Sequence, residues 1–251
     1  MMKLFTLTLA LSLCTAGMFA CTDELPESDN AGVSAVIDPG DGGTYEPSVV
    51  AADFVARIDN PYLPFSPGAR WVYESADGSE RIEVEVLSET REIMGITATI
   101  VRDTVTEDGE LVEDTYDWYA QDKDGNVWYL GEASTEFKDG KPHSTAGSWE
   151  AGVDGAQPGI AMLARPAVGK AYRQEYYAGE AEDLADILKV DAAETTALRT
   201  FEQLVVIREW TPLEPAVVEH KYYAPGIGSV LEVKVAGESG RVELTSFEPG
   251  E

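Results

Sequence analysis

Cysteine and histidine are scarce in this chain, with two of each among 251 residues. Cys14 falls inside an apolar N-terminal segment and Cys21 directly follows it, so a domain built from the rest has no disulfide and no thiol nucleophile. His143 and His220 do not form a His-Glu-x-x-His zinc helix, and a Gly-x-Ser-x-Gly nucleophile elbow is also missing. These absences disfavour thiol, zinc and serine-hydrolase chemistry, and we expect no cofactor.

Basic residues are few as well. Lysine and arginine total 18 against 46 aspartate and glutamate residues, which gives a formal net charge of −28. Such a field repels phosphate backbones, so the sequence argues against a nucleic-acid partner. An acid excess is usually a solvated surface and does not by itself define a site.

The N-terminus has the pattern of an export signal. Lys3 precedes an uncharged run from Leu4 to Ala20, which is short for a membrane span. The run from Met18 to Cys21 resembles a bacterial lipobox, and cleavage before Cys21 would leave that cysteine as the lipidation site; ordinary secretory cleavage near Ala20 is the alternative. We therefore predict a signal peptide over 1–20 and a lipid anchor in the cell envelope. Because Thr22 replaces the aspartate of an inner-membrane retention signal, the outer membrane is favoured in a Gram-negative cell.

The chain then divides into a tether and a domain. Residues 22–53 contain eight acids, no base and several prolines and glycines. Low hydrophobicity with like charge cannot support a core, so 21–58 is predicted to be a disordered, lipidated tether. Residues 59–251 are predicted to form one antiparallel β domain.

Strand patterns dominate that domain. Ile82, Val84 and Val86 alternate with polar residues, and Leu231, Val233 and Val235 do the same near the C-terminus. Asp-Gly pairs, the strongest local hairpin signal, begin at Asp77, Asp108, Asp124 and Asp139. The predicted fold is all-β, a single curved or partly closed antiparallel sheet resembling a clam or a barrel.

One short helix is expected to accompany the sheet. Over Glu180–Lys189 the apolar residues Ala181, Leu184, Ala185 and Leu188 follow helical spacing. The Gly- and Pro-rich stretch 150–169 is predicted to be a long irregular loop, and loops of that length are often functional.

Candidate catalytic and metal-binding residues are carboxylates and one histidine. Glu113, Asp114 and Asp117 lie beside Trp118 and could serve as paired carboxylates in glycoside hydrolysis. His220 alternates with Val218 and Tyr222, which indicates a lining or core histidine, with a general base as the alternative. The run that contains Asp122, Asp124 and Asn126 resembles a calcium loop but lacks the spacing of an EF-hand, so a plain turn is preferred to a weak calcium site.

Aromatic doublets supply the remaining signal. Adjacent rings on a strand point to opposite faces, so one ring of each pair should face inward. Too many inward rings to pack would leave an apolar pocket. The candidate ligand-binding residues are Trp118, Trp128, Tyr129, Tyr176, Tyr177 and Tyr222.

Several blocks together resemble a large group of uncharacterised bacterial exported proteins and lipoproteins. These blocks are Asn60–Glu74 (NPYLPFSPGARWVYE), Glu113–Glu132 (EDTYDWYAQDKDGNVWYLGE), Gly147–Ile160 (GSWEAGVDGAQPGI), Tyr172–Ala185 (YRQEYYAGEAEDLA) and Glu219–Glu232 (EHKYYAPGIGSVLE). The resemblance implies a single envelope domain and no established reaction.

The sequence thus predicts a membrane-anchored bacterial lipoprotein with a non-catalytic role. Its β domain would bind an apolar small molecule or lipid, or an envelope protein. A secreted hydrolase that uses the carboxylates around Glu113–Asp117 is the alternative, and a structural surface module is the third.

Overall fold

The computed structural model describes residues 45–237 and 239–251, and over these residues the chain is almost entirely antiparallel β structure. One 3-10 turn, Ala51–Asp53, is the helical element of this part. The strands are β1 Phe54–Val55, β2 Arg70–Ser75, β3 Glu80–Ile93, β4 Ile96–Glu107, β5 Glu110–Asp122, β6 Val127–Lys138, β7 Lys141–Ser144, β8 Trp149–Glu150, β9 Gln157–Met162, β10 Ala171–Arg173, β11 Glu175–Tyr176, β12 Leu184–Thr195, β13 Thr200–Trp210, β14 Val218–Ala224, β15 Gly228–Ala236 and β16 Gly240–Glu248. The predicted all-β antiparallel fold is confirmed.

The strands form one nearly closed, barrel-like sheet. The order along the sheet is β10-β12-β13-β14-β15-β16-β2-β3-β4-β5-β6-β9-β11, while β1 adds to β5 and both β7 and β8 add to β6. Two meanders, β2–β6 and β12–β16, are joined where β16 pairs with β2. The two ends of the path, β10 and β11, are separated in the chain by Gln174 alone. One short segment, Ala171–Tyr176, therefore reaches both edges of the sheet.

Tight turns explain why consecutive strands pair. Asp108-Gly109 and Asp139-Gly140 have positive φ at both residues, as a type I′ hairpin turn requires. Met94-Gly95 forms a turn of the same kind between β3 and β4 without an Asp-Gly signal. The hairpins predicted at Asp77-Gly78 and Asp124-Gly125 also form, but their aspartates keep negative φ.

The packed body starts before Asp59, contrary to the predicted end of the tether at residue 58. Tyr45 is buried and its hydroxyl donates to the carbonyl of Pro158 at 2.8 Å. β1 pairs with β5, and Ile58 enters the core. The acidic composition of this region obscured three apolar anchors, Tyr45, Phe54 and Ile58, because each stands alone in a polar context. The predicted signal peptide and residues 21–44 lie outside the described residues.

The helix expected over Glu180–Lys189 is wrong, because Leu184–Thr195 forms strand β12. Ala185 pairs with Glu209 and Ile187 with Ile207, while β10 pairs on the opposite edge. Leu184 and Ala185 are both fully buried, so neighbouring residues are covered on opposite faces and helical spacing arose by coincidence. Within the predicted loop 150–169, residues Gln157–Met162 form β9. The described part of the chain has no helix with the length and apolarity needed to span a bilayer.

Aromatic rings fill one end of the barrel. Phe65 contacts Trp71 at 5.9 Å and Tyr119 at 5.0 Å between ring centroids. Tyr119 stacks on Tyr129 at 4.7 Å, and Tyr129 meets Trp149 edge-on at 5.3 Å. These contacts form a continuous apolar plug, and such ring pairs add about 0.5–1.5 kcal/mol each beyond the area they bury.

A substitution at Gly159 in β9 tests how tightly the sheet closes. A Cβ at Gly159 would overlap the backbone of Gln174, whereas a Cβ at Gly240 would make only ordinary contact with the Lys234 side chain. The seam is the place where Ala171–Tyr176 meets β9 and closes the sheet. We expect Gly159→Ala to lower the free energy of unfolding by about 1–3 kcal/mol or more, because the backbone at this seam must move. Gly240→Ala should change it by less than about 0.5 kcal/mol. Urea denaturation measures both, and equal effects would contradict a tight seam at Gln174.

Candidate functional site

The inner face of the barrel carries a cluster of acidic side chains. Cross-strand pairing sets Val84 against Asp103, Asp103 against Thr115 and Thr115 against Ser134, all on the face that also carries Trp71 and Val86. On the opposite wall the same face carries Glu209, Glu219, Lys221 and Glu232. We call the following nine residues the inner acidic cluster: Asp103, Glu113, Asp117, Glu132, Glu175, Asp183, Glu209, Glu219 and Glu232.

Lys221 is the cation at the centre of this cluster. Its Nζ lies 2.7 Å from Glu209 Oε2 and 3.8 Å from Glu232 Oε2. Burial opposes the charge, but Glu209 and Glu232 outweigh it and hold the pKa of Lys221 well above its ordinary value. Burial also opposes ionisation of Glu232, yet Lys221 holds the pKa of Glu232 below its usual range. Lys221 and Glu232 therefore remain charged together at neutral pH.

Asp117 and Glu132 share one phenol. The hydroxyl of Tyr129 lies 2.6 Å from Asp117 Oδ1 and 2.9 Å from Glu132 Oε2. A phenol has one proton and can donate to only one of the two, so the second contact needs a proton on a carboxyl. Burial, and then the neighbouring carboxylate, raises the pKa of Asp117 well above its usual range, and burial raises the pKa of Glu132 to about 7. The pair thus holds at least one proton near neutrality.

Glu113 and Asp103 lie beside this pair. Thr115 Oγ1 donates to Glu113 Oε1 at 2.7 Å, and burial raises the pKa of Glu113. Burial, followed by repulsion from Glu113, raises the pKa of Asp103 to about 7. Both carboxyls therefore exchange protons closer to neutral pH than ordinary surface acids do.

The seam supplies the remaining carboxylates. Trp149 Nε1 donates to Glu175 Oε2 at 2.9 Å, and Gln174 Nε2 donates to Glu209 Oε1 at 2.9 Å. Burial, and then repulsion from Asp183, raises the pKa of Glu175 well above its ordinary value. Burial, and then Glu209, raises the pKa of Asp183. The segment that closes the sheet thus belongs to the cluster.

Three buried polar atoms around the cluster have no hydrogen-bond partner among the described residues. They are Oδ1 of Asp103, Oε1 of Glu219 and the hydroxyl of Tyr172. An unsatisfied buried polar group costs about 1–3 kcal/mol, so native structures seldom leave several together. The cluster therefore has unused hydrogen-bonding capacity.

The predicted catalytic residues separate between the two faces. Glu113 and Asp117 face inward, whereas Asp114 points outward and accepts two hydrogen bonds from Arg102, at 2.8 and 2.9 Å. His220 pairs with Arg208 on the outer face and is half-buried. Burial, and then Arg208, lowers the pKa of His220. The structure thus brings Glu113 and Asp117 together and leaves Asp114 and His220 apart from them.

The predicted ligand-binding aromatics do not line one pocket. Tyr129 faces inward, while Tyr222 lies half-buried on the outer face. Trp118 is buried beneath the guanidinium of Arg91 at 4.1 Å, and Tyr176 lies beneath that of Arg173 at 4.5 Å. Trp128 is buried in the core, and Tyr177 packs against the core as a partly buried residue. A surface pocket of about 290 Å³, whose lining includes Phe201, Pro225 and Ile227, contains none of them.

The calcium candidates form a turn with its own donors. Asp122 accepts hydrogen bonds at 2.9 Å from the backbone N–H groups of Asp124 and Asn126 and from Asn126 Nδ2. Trp128 Nε1 donates to the same carboxylate at 2.8 Å. Over residues 45–237 and 239–251, no three His, Cys, Asp or Glu side chains are grouped as a metal site would need. The geometry is that of a carboxylate bracing a hairpin.

Sequence reasoning missed most of the inner acidic cluster. Asp103, Glu132, Glu209, Glu219 and Glu232 look like the polar side of amphipathic strands, and the apolar side was expected to face the core. Lys221 is not predicted as an inward-facing residue for the same reason. Glu219 and Lys221 alternate with His220 and Tyr222, and Glu232 follows Leu231. This alternation is visible in the sequence, but it does not say which face of the strand is enclosed.

Comparisons with known proteins find two solved structures with low similarity to this chain. No family model and no curated protein matches the chain. A candidate exported protein with a YmcC-like fold from Bacteroides fragilis is 15% identical with a TM-score of 0.43, covering 75% of this chain and 99% of that one. A candidate lipoprotein from Parabacteroides distasonis is 12% identical with a TM-score of 0.39, covering 74% and 98%. Similarity at this level assigns no family and no activity, and the resemblance based on sequence blocks stays a prediction.

The raised pKa values of the cluster predict a dependence of stability on pH. A carboxyl with a folded pKa of about 7, such as Asp103 or Glu132, stabilises the fold below its unfolded pKa near 4, and this contribution is lost as pH rises through about 7. We expect the melting temperature to fall between pH 5 and pH 8, by about 2–4 °C for each kcal/mol lost.

The double variant D103N/E132Q should flatten this dependence because neither amide titrates. Glu85→Gln, whose side chain lies on the outer face near Arg70, should leave the dependence unchanged. Thermal melts at one-unit pH intervals measure the effect. A melting temperature that rises steadily from pH 5 to pH 8 would contradict the assigned pKa directions.

Proposed function

We propose that this chain is an exported lipoprotein whose β domain binds a ligand on the inner face of its barrel without catalysing a reaction. The anchor rests on the sequence, with a signal peptide ending before the lipidation site Cys21. The binding role rests on the three buried polar atoms that lack partners in the described residues. A ligand with matching groups would satisfy them and offset the cost of burying them.

The structure favours a polar ligand over the apolar small molecule or lipid that the aromatic doublets predict. The inward rings Tyr119 and Tyr129 stack on each other, so they already serve as core. The remaining inner surface presents carboxyls, which an apolar guest would leave unpaired at high cost. A role for the outer aromatics in binding an envelope protein stays open as a second form of the same non-catalytic function.

Lipid attachment is tested at Cys21. We expect the full chain, expressed in a Gram-negative host, to take up radiolabelled palmitate and to fractionate with membranes. Cys21→Ser should lose the label and leave the membrane fraction, since cysteine is the residue that the lipobox presents for acylation. Cys14→Ser is the matched control and should keep the label, because Cys14 lies within the predicted signal peptide. Equal labelling of both variants would contradict the anchor.

Ligand binding is tested on protein purified from its native envelope. We expect native mass spectrometry to show one small molecule bound per chain, and organic extraction to release it. Glu219→Gln should lose this molecule because a neutral amide replaces the inner carboxyl that would bind it. Glu85→Gln changes the outer face and should keep the molecule. Native chains without bound molecules would contradict a ligand that stays bound through purification.

Chemical change of the extracted molecule during incubation would favour the hydrolase alternative instead. The shared contacts of Asp117 and Glu132 with the Tyr129 hydroxyl place two carboxyls close together, and retaining glycosidases use a pair about 5–5.5 Å apart. Loss of that turnover in Asp117→Asn would identify the pair as its source.

A further inference from the structure

The unpartnered atoms of the inner acidic cluster belong to opposite walls of the barrel. Asp103 lies on β4 and Glu219 on β14, and four strands separate these two along the sheet: β15, β16, β2 and β3. Glu219 is only 8% exposed, yet its Oε1 has no partner among the described residues. Both carboxyls interact electrostatically with Lys221 and Glu232, so they border the same interior region.

Few cations lie beside the carboxyls of this region in the described part of the chain. Lys221 lies among Glu209, Glu219 and Glu232, and Lys234 adds a second positive charge beside Glu232. Lys221 makes its short contact with Glu209 and leaves Oε1 of Glu219 and Oδ1 of Asp103 without a donor. What the interior lacks is therefore positive charge that carries hydrogen-bond donors.

Three other classes of ligand fit this requirement less well. An anion would be repelled by the carboxyls that stay ionised, and a neutral ligand would bring no positive charge to Glu219 and Asp103. A bare metal ion needs several carboxylates converging on one point, and the described residues contain no such group of three. An ammonium group differs because it carries one charge on up to three donors, which can point to separate acceptors.

We propose that the barrel binds an organic ammonium ion, a primary amine or short polyamine, with its N–H groups donating to Glu219 Oε1 and Asp103 Oδ1. This inference rests on the proposed binding function and names the ligand class. The carbon chain of the ligand would lie along the aliphatic inner residues, where Val84 and Val101 flank Asp103. The acidic surface of the protein would favour the approach of such a cation.

Isothermal titration calorimetry of the detergent-solubilised, lipidated chain tests this proposal with n-butylamine, 1,4-diaminobutane and spermidine as probes. We expect one saturable site for at least one probe at physiological salt. Glu219→Gln and Asp103→Asn should each weaken it by roughly tenfold or more, as expected when a charge-assisted hydrogen bond is lost. Glu85→Gln removes one charge from the outer face and should leave the affinity within a factor of two, about 0.4 kcal/mol.

The variants also separate a site from general attraction to an acidic protein. Binding that falls equally in Glu219→Gln and Glu85→Gln, or that disappears with moderate salt in the unaltered chain, would be surface attraction and would overturn the proposal. No saturable binding of any probe would overturn it too. Circular dichroism melts show that each variant is folded, and Asp103→Asn provides an independent reading if Glu219→Gln fails to fold.

The two proposals can fail separately. A neutral or apolar molecule extracted from the native protein, together with no amine binding, would leave the binding function intact and reject the ammonium ligand. An empty native protein that still binds amines at the inner face would retain the ammonium site and reject a permanently bound ligand.

Discussion

Closure of the sheet at Ala171–Tyr176 is the constraint on which the acidic interior depends. β10 pairs with one edge of the sheet and β11 with the other, so a six-residue segment turns an open meander into an enclosed wall. Without that closure, the face that carries Asp103 and Glu219 would be an ordinary hydrated surface, and its carboxyls would titrate as surface acids do. The close approach of Gly159 to Gln174 shows how tightly the seam is packed.

Enclosure then raises the free-energy cost of ionising the carboxyls. A buried ion pair seldom repays the cost of removing both charges from water, and unpaired buried acids shift their pKa and hold protons instead. Lys221 compensates for Glu209 and Glu232, while Asp117 and Glu132 share the phenol of Tyr129. Clusters of strongly perturbed carboxyls are typical of functional sites, which is consistent with the proposed binding role of these acids.

The aromatic packing and the proposed ligand binding involve different parts of the barrel. The ring contacts from Trp71 through Phe65 to Trp149 plug one part with apolar contacts. The cluster around Lys221 occupies the facing strands and remains incompletely paired. Tyr129 belongs to both, since its ring stacks in the plug and its hydroxyl reaches the carboxyls, so the packing of the rings also positions two members of the cluster.

The sequence by itself determined the β class, the antiparallel order and most turns, because alternation and Asp-Gly pairs are local signals that act within a hairpin. It also predicts an export signal, and it placed Glu113 and Asp117 among the candidates. It could not determine β12, since Leu184 and Ala185 follow helical spacing and only pairing with β10 and β13 makes that segment a strand. Nor could it tell which face of β14 is enclosed, because period-two alternation is symmetric. Closure alone decided that Glu219 and Lys221 point inward and His220 outward, since it depends on pairings between residues far apart in the chain.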